Sequence, residues 1–217
     1  MTARPSAAQH SAAHHSAAKH KATQHRATQH RATQHRATQH RAVLSVGSNL
    51  GDRLGTLQGC VHAIGELPET DVLAVSPVYE TAPVGGPAQP DYLNAVLVIE
   101  TGLAPRDLLA ATQRIEADFG RVRVEGSERF GPRTLDIDII SFAGEVSDDP
   151  VLTLPHPRAH ERAFVLAPWH DLDPAASLPG RGEVAALLAG LERDGVRRQP
   201  GMTLDAPNLD APDPEAP

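Results

Sequence analysis

Beyond residue 42 the chain contains no lysine, because both of its lysines, Lys19 and Lys21, precede that point. The absence excludes a phosphate-binding loop built on a Gly-Lys pair, and it excludes lysine Schiff-base chemistry. Every positive charge in a site must therefore come from Arg or His. Cysteine is nearly missing as well: Cys60 stands alone. One cysteine excludes a disulfide framework and a cysteine-based zinc cluster, and in a helix-like stretch it reads as a small buried hydrophobe. No apolar run approaches the roughly 20 residues of a membrane span, and the N-terminus lacks the apolar core of a signal peptide. The expectation is a cytoplasmic location with no membrane partner.

Acidic residues are missing from one segment only. Residues 1–42 carry seven Lys and Arg and no Asp or Glu, whereas residues 43–217 carry 13 Arg against 27 Asp and Glu, a net charge of −14. A domain so acidic offers no general nucleic-acid surface. A cluster of arginines inside it is correspondingly informative.

Residues 22–41 are four copies of Ala-Thr-Gln-His-Arg. A period of five matches neither a helical face nor a strand, and almost nothing there is larger than Ala. Such a segment cannot offset its ordering entropy, so 1–42 is expected to be a disordered tail, with weak metal or polyanion binding by its histidines as the alternative. The Pro- and Asp-rich stretch 196–217 reads as a second tail, leaving 43–195 as the domain.

Within the domain, Val43–Val46 reads as a strand entering the turn Gly47-Ser48-Asn49-Leu50-Gly51. Asp52 can cap a helix that carries Leu54, Leu57, Val61 and Ile64 on one face. A strand over Val72–Tyr79, a Pro/Gly loop over 81–87 and a strand over Tyr92–Ile99 follow. Pro105 opens a second helix through Leu108, Leu109, Thr112, Ile115 and Phe119. Next come an arginine-rich loop, a strand over Leu135–Phe142, a Pro-His-Pro loop, an apolar segment over Ala163–Trp169 and a helix near Glu183–Leu191. The order β-α-β-β-α-β predicts an α+β fold of ferredoxin-like type, with a largely antiparallel or mixed sheet and packed helices.

Three pieces carry chemistry. In the strand after the loop, Asp136 and Asp138 share a face while Leu135, Ile137 and Ile139 take the other. Two carboxylates on one face repel unless a cation lies between them, and Mg²⁺ takes one or two carboxylates together with water and phosphate oxygens. Arg121, Arg123, Arg129 and Arg133 lie just upstream, and their planar forks suit phosphate. Taken alone, Asp-x-Asp could equally be a solvent-facing strand with ion pairs. The second piece is Tyr92 and Asn94, which share a face beside the Pro/Gly loop and could recognise a flat heterocycle, or simply belong to the core. The third is His156 between Pro155 and Pro157, with Arg162 and Phe164 beyond. The prolines predict an extended, exposed histidine able to donate to phosphate, or a rigid connector.

Together these pieces resemble the 6-hydroxymethyl-7,8-dihydropterin pyrophosphokinase family of folate synthesis. The resemblance runs through Gly47-Ser48-Asn49-Leu50-Gly51, Thr81-Ala82-Pro83, Gln89-Pro90-Asp91-Tyr92-Leu93-Asn94 and Gln113-Arg114-Ile115-Glu116. It continues through Arg129-Phe130-Gly131-Pro132-Arg133-Thr134-Leu135-Asp136-Ile137-Asp138-Ile139-Ile140, Pro155-His156-Pro157 and Arg162-Ala163-Phe164-Val165-Leu166. It implies an α-β-α sandwich with helices on both faces and transfer of pyrophosphate from ATP to the pterin alcohol, releasing AMP. It also implies two Mg²⁺ ions on Asp136 and Asp138, with Arg121 and Arg133 steadying the transferred group and Arg123 helping. Gln113, Glu116, Ile139, His156 and Arg162 would line the ATP site. Thr81 and Val84 would offer backbone contacts to the pterin, Asn94 would read its edge, and Tyr92 and Phe164 would sandwich its ring. Other folate-pathway enzymes become candidate partners. The chain departs from the family's pattern at Phe130, where many members have Trp, at Ala82 in place of a frequent Pro, and in a longer loop between Arg123 and Arg129. A binding protein without turnover would need the same pocket, but retention of all four charged groups, Arg121, Arg133, Asp136 and Asp138, argues for an enzyme. A metal-dependent sugar-nucleotide transferase also uses Asp-x-Asp, but normally needs a larger nucleotide-binding domain.

Overall fold

The computed structural model describes residues 39–83, 85–121 and 131–207. Val84, Arg123, Arg129 and Phe130 lie outside the described residues, as does most of the repeat segment. By internal contacts the chain divides between Gln39 and His40, and the sheet belongs to the unit that begins at His40.

Its sheet is built on two long central strands, β1 (His40–Ser48) and β4 (Tyr92–Thr101), paired antiparallel from His40↔Thr101 to Ser48↔Leu93. Both are buried on both faces over most of their length, as strands covered by helices on each side should be. β5 (Asp136–Phe142) adds to β1. On the other side of β4, β2 (Thr70–Val75) and β3 (Tyr79–Thr81) pair with its two halves. β8 (Val196–Arg198) closes the edge against β3, giving the order β5-β1-β4-β3-β8 with every pair antiparallel.

Helices α1 (Arg53–Gly65) and α2 (Pro105–Asp118) pack one face. Asp52 caps α1 by accepting from the Gly55 amide at 3.0 Å, and Pro105 takes the first turn of α2, where its missing N–H costs nothing. Leu57, Val61, Ile64, Leu108 and Ile115 meet Leu44, Val46, Leu97 and Ile99 there. On the opposite face α3 (Ala163–Leu172) and α4 (Val184–Ala189) place Val165, Leu166, Trp169, Val184 and Leu188 over Val43, Val96, Val98 and Ile140. The two-stranded ribbon β6 (Ser177–Leu178) and β7 (Gly182–Glu183) joins these helices. Each fully buried Leu or Ile contributes on the order of 1.5–3 kcal/mol. The expected α-β-α sandwich of ferredoxin-like type is what forms. Among the described residues no helix is long and apolar enough to cross a membrane.

Three expectations are revised. The single strand over Val72–Tyr79 is two, because Pro77 has no amide to donate and Ser76 substitutes for the ladder there. The Ser76 hydroxyl accepts from the Val96 amide at 2.8 Å while the Ser76 amide donates to the Val96 carbonyl at 2.9 Å. The unit that holds the sheet starts at His40, inside the last repeat, and the His40 ring packs 5.3 Å from that of Phe142. It also extends past 195. Beyond β8, Met202, Leu204 and Ala206 pack on the α1/α2 core, and Gln58 clasps Asp205 through both its amide atoms at 2.9 and 2.8 Å.

Candidate active site

Alternation on three adjacent strands creates the site. Leu44, Val46, Leu93, Ala95, Ile137 and Ile139 face α1 and α2. The intervening residues Ser45, Gly47, Asn94, Asp136 and Asp138 therefore share the other face, at the end of the sheet where they line an open cavity. The register puts Asn94 beside Gly47 and Gly47 beside Asp136, a row across β4, β1 and β5, with Ser45 beside Asp138. The cavity is about 290 Å³, and Thr81, Tyr92, Arg133, Arg162 and Phe164 complete its wall.

At one end the charges are matched. Asp136 accepts from Arg121 at 2.6 Å through Oδ1 and from Arg133 at 2.8 Å through Oδ2. Asp138 accepts from Arg162 at 2.7 Å, and His156 Nε2 stands 3.8 Å from the same oxygen. Behind them Glu116, 2 % exposed, accepts from the Ile137 amide at 2.8 Å and from Arg121. Three carboxylates thus face three arginines. Burial lowers the His156 pKa from its ordinary value, with Arg162 and Arg158 adding to the shift and Asp138 opposing it, so the neutral ring is favoured.

This donor set fits a divalent cation shared with a polyphosphate. Arg121, Arg133 and Arg162 are each paired with a carboxylate, so an incoming polyphosphate gains from further positive charge. Two same-face carboxylates are the partial ligand set that Mg²⁺ completes with water and phosphate oxygens. Among the described residues no group of three or more His, Cys, Asp or Glu forms a full protein cage for a metal. Completion by a substrate is the arrangement such a half-set allows.

At the other end the cavity is apolar and amide-lined. Tyr92 and Phe164 lie on its wall, and burial raises the Tyr92 pKa, keeping the phenol neutral. The Asn94 side chain donates to the Thr81 hydroxyl at 2.7 Å, both residues being buried. The Arg162 guanidinium sits 5.5 Å from the centroid of Phe164, linking the two ends.

Asn49 ties the surrounding loops together. Its side chain accepts from the Arg133 amide at 2.8 Å and donates to Gln89 and the Pro90 carbonyl at 2.9 and 3.1 Å, while its own amide donates to the Arg133 carbonyl at 3.2 Å. Arg133 and the Gln89-Pro90 stretch are therefore joined through the turn after β1.

The structure brings Thr81, Tyr92, Asn94, Arg133, Asp136, Asp138, Arg162 and Phe164 to one cavity, with Arg121 and His156 touching its aspartates. It does not bring the Ile139 side chain there. That side chain is 4 % exposed in the α1/α2 core, as its place opposite Asp138 in the alternation requires. Gln113 is exposed on α2 and does not line the cavity, and Glu116 lies behind it. His156 is not the exposed residue expected between two prolines. Its side chain is 18 % exposed, since its amide donates to the Ile140 carbonyl at 2.8 Å and draws the loop onto the edge of β5. Val84 and Arg123 fall outside the described residues. Ser45, Gly47, Gln89, Arg158 and Glu161 also line the cavity. Ser45 and Gly47 were detectable as the only small residues alternating with core positions of β1. The others depend on tertiary contact.

The sequence model of the 7,8-dihydro-6-hydroxymethylpterin-pyrophosphokinase (HPPK) family matches residues 43–174. A 2-amino-4-hydroxy-6-hydroxymethyldihydropteridine pyrophosphokinase of Pseudomonas aeruginosa is 44 % identical over 158 residues, covering 73 % of this chain and 96 % of the relative. The protein of the same name from Mycobacterium leprae is 46 % identical, over 71 % of this chain and 86 % of the relative. Among solved structures, Plasmodium falciparum HPPK-DHPS, a triple mutant with pteroate, matches with a TM-score of 0.55 at 15 % identity. That match covers 70 % of this chain and 43 % of the longer Plasmodium chain, and it speaks to the fold alone. The chain belongs to the 7,8-dihydro-6-hydroxymethylpterin-pyrophosphokinase family.

Proposed function

We propose that this cavity carries out the transfer for which the family is named. Pyrophosphate passes from ATP to the hydroxymethyl oxygen of 6-hydroxymethyl-7,8-dihydropterin, releasing AMP, as a step of folate biosynthesis. The observation that carries the assignment to these residues is the row Asn94, Gly47, Asp136, which sets a heterocycle reader two strands from the charged cluster. Adjacent strands lie about 4.8 Å apart, so the two ends are separated by roughly the span between a pterin ring and a phosphate bound to its side arm.

In this reading Asp136 and Asp138 hold two Mg²⁺ ions, which would supply Lewis-acid neutralisation of the phosphate charge. Arg121 and Arg133 contact the transferred pyrophosphoryl group, and Arg162 and His156 the rest of the triphosphate. Arg123 is placed with them on the resemblance alone. Glu116 acts indirectly, holding Arg121 against Asp136. Gln113 and Ile139 are left with backbone or peripheral contacts to ATP. Tyr92 and Phe164 flank the pterin, Asn94 reads its edge, and the backbone near Thr81 and Val84 completes recognition. The chemistry then rests on alignment and fixed charge, which suits a transfer that needs little covalent help from protein groups. Asn49 holds Arg133 and Gln89 together on the cavity wall, which supports a fixed placement of both substrates.

The residue assignment is tested by Asp138→Asn. The variant should keep its fold, because Asp138 is half-exposed at the cavity, and lose pterin-dependent turnover by about two orders of magnitude or more. Turnover within a few-fold of the parent protein would remove Asp138 from the metal site.

A further inference from the structure

Gly47 sits in the middle of the row that joins the two ends of the cavity, with Asn94 on one neighbouring strand and Asp136 on the other. No glycine conformation is called for, since its backbone is ordinary extended strand and its φ is not among the positive ones. The reason for glycine is space. A β-carbon there would lie 2.7 Å from Asn94 Oδ1, and 3.7 Å from both Asn94 Cγ and Tyr92 Cδ1. The Asn94 carboxamide therefore lies directly over the Gly47 α-carbon. On its other side the amide nitrogen is 2.7 Å from the Thr81 hydroxyl, with Thr81 3 % and Asn94 5 % exposed. The amide is confined between a bare backbone and a buried hydroxyl.

We infer that Gly47 and the Thr81 side chain are positioning residues for pterin recognition: they fix the orientation in which Asn94 presents its carboxamide, and Gly47 leaves the floor between the pterin and phosphate ends unobstructed. The inference rests on the functional reading above. It gives the Thr81 hydroxyl a task separate from the backbone contact expected of that residue. A hydrogen-bonding edge is discriminated well only when the site's own polar group cannot rotate to suit a wrong partner, and the Gly47–Thr81 pair removes that freedom.

The test is steady-state kinetics on Gly47→Ala, Thr81→Val and Thr81→Ser, each with the pterin and ATP titrated separately. Pterin-dependent AMP formation by the parent protein comes first; its absence would sink the functional reading itself and leave these variants without a reaction to probe. Given that activity, Gly47→Ala and Thr81→Val should each raise the KM for the pterin about tenfold, the effect of losing one well-placed hydrogen bond, with the KM for ATP nearly unchanged. Thr81→Ser, which keeps the hydroxyl, should stay close to the parent. In an Asn94→Ala background the further change Thr81→Val should add almost nothing, because the group it orients is gone. A rise in pterin KM of less than about threefold in Thr81→Val would overturn the inference. So would an equal rise in the KM for ATP, which would mark a general loosening of the site. Should Gly47→Ala not fold, the Thr81 pair and the Asn94 background decide alone.

Discussion

The Arg162 guanidinium donates to Asp138 Oδ2 at 2.7 Å, so one oxygen of an aspartate proposed to hold metal is engaged by an arginine. Arg121 and Arg133 do the same for Asp136. Each ion pair relieves the repulsion between the two carboxylates, and each must loosen or share its oxygen when a metal and phosphates enter. Arg162→Ala is therefore expected to strengthen binding of Mn²⁺ in the absence of nucleotide while raising the KM for ATP about tenfold. Titration of Mn²⁺ followed by electron paramagnetic resonance measures the first and initial rates the second. Unchanged metal affinity would show that the arginine does not compete.

Asn49 is 1 % exposed and joins Arg133 to Gln89 on the cavity wall. Asn49→Ala leaves the Arg133 amide without its side-chain acceptor and takes one donor from Gln89, which still accepts from the Tyr92 hydroxyl. The expected cost is about 1–3 kcal/mol in urea unfolding, together with a fall in kcat larger than stability alone explains. A variant destabilised to that degree but with parental kcat would separate the clasp from catalysis.

The C-terminal stretch after β8 is part of the fold. Ending the chain after Gln199 removes Met202, Leu204 and Ala206 from the core and both bonds between Gln58 and Asp205. Differential scanning calorimetry should show a lower Tm by several degrees, as a loss of about 1–3 kcal/mol produces in a domain of this size. An unchanged Tm would contradict this packing.

Tyr79 donates to Asp171 Oδ2 at 2.8 Å, and its pKa is pushed up to about 12, chiefly by burial and then by the bond and charge of Asp171, with Arg198 and Arg193 opposing. A raised folded-state pKa means a stabilising contribution that is complete below the phenol's ordinary value of 10 and lost as the pH climbs towards 12. Tyr79→Phe should cost about 1 kcal/mol at neutral pH. The gap between the two proteins in denaturation midpoint should narrow between these two pH values; a gap independent of pH would deny the phenol this role.

Much of this was legible in the sequence because it obeys local periodicity. The alternation of Asp136 and Asp138 against Ile137 and Ile139 placed both carboxylates on one face, and the helical spacing of Leu57, Val61 and Ile64 placed α1. The same alternation shows why the Ile139 side chain does not line the cavity. What could not be read locally was set by partners far along the chain. The strand break at Pro77 depends on Ser76 meeting Val96, and the partial burial of His156 depends on the Ile140 carbonyl. The strand at Val196–Arg198 is too short and charged to signal itself, forming only because β3 offers an open edge.

The most direct measurement is identification of the adenine product after incubation with ATP, Mg²⁺ and 6-hydroxymethyl-7,8-dihydropterin, with omission of the pterin as control. Pyrophosphoryl transfer at this cavity predicts AMP, formed only when the pterin is present and in equal amount to the pterin diphosphate. ADP as the product, or AMP formed at the same rate without the pterin, would contradict it.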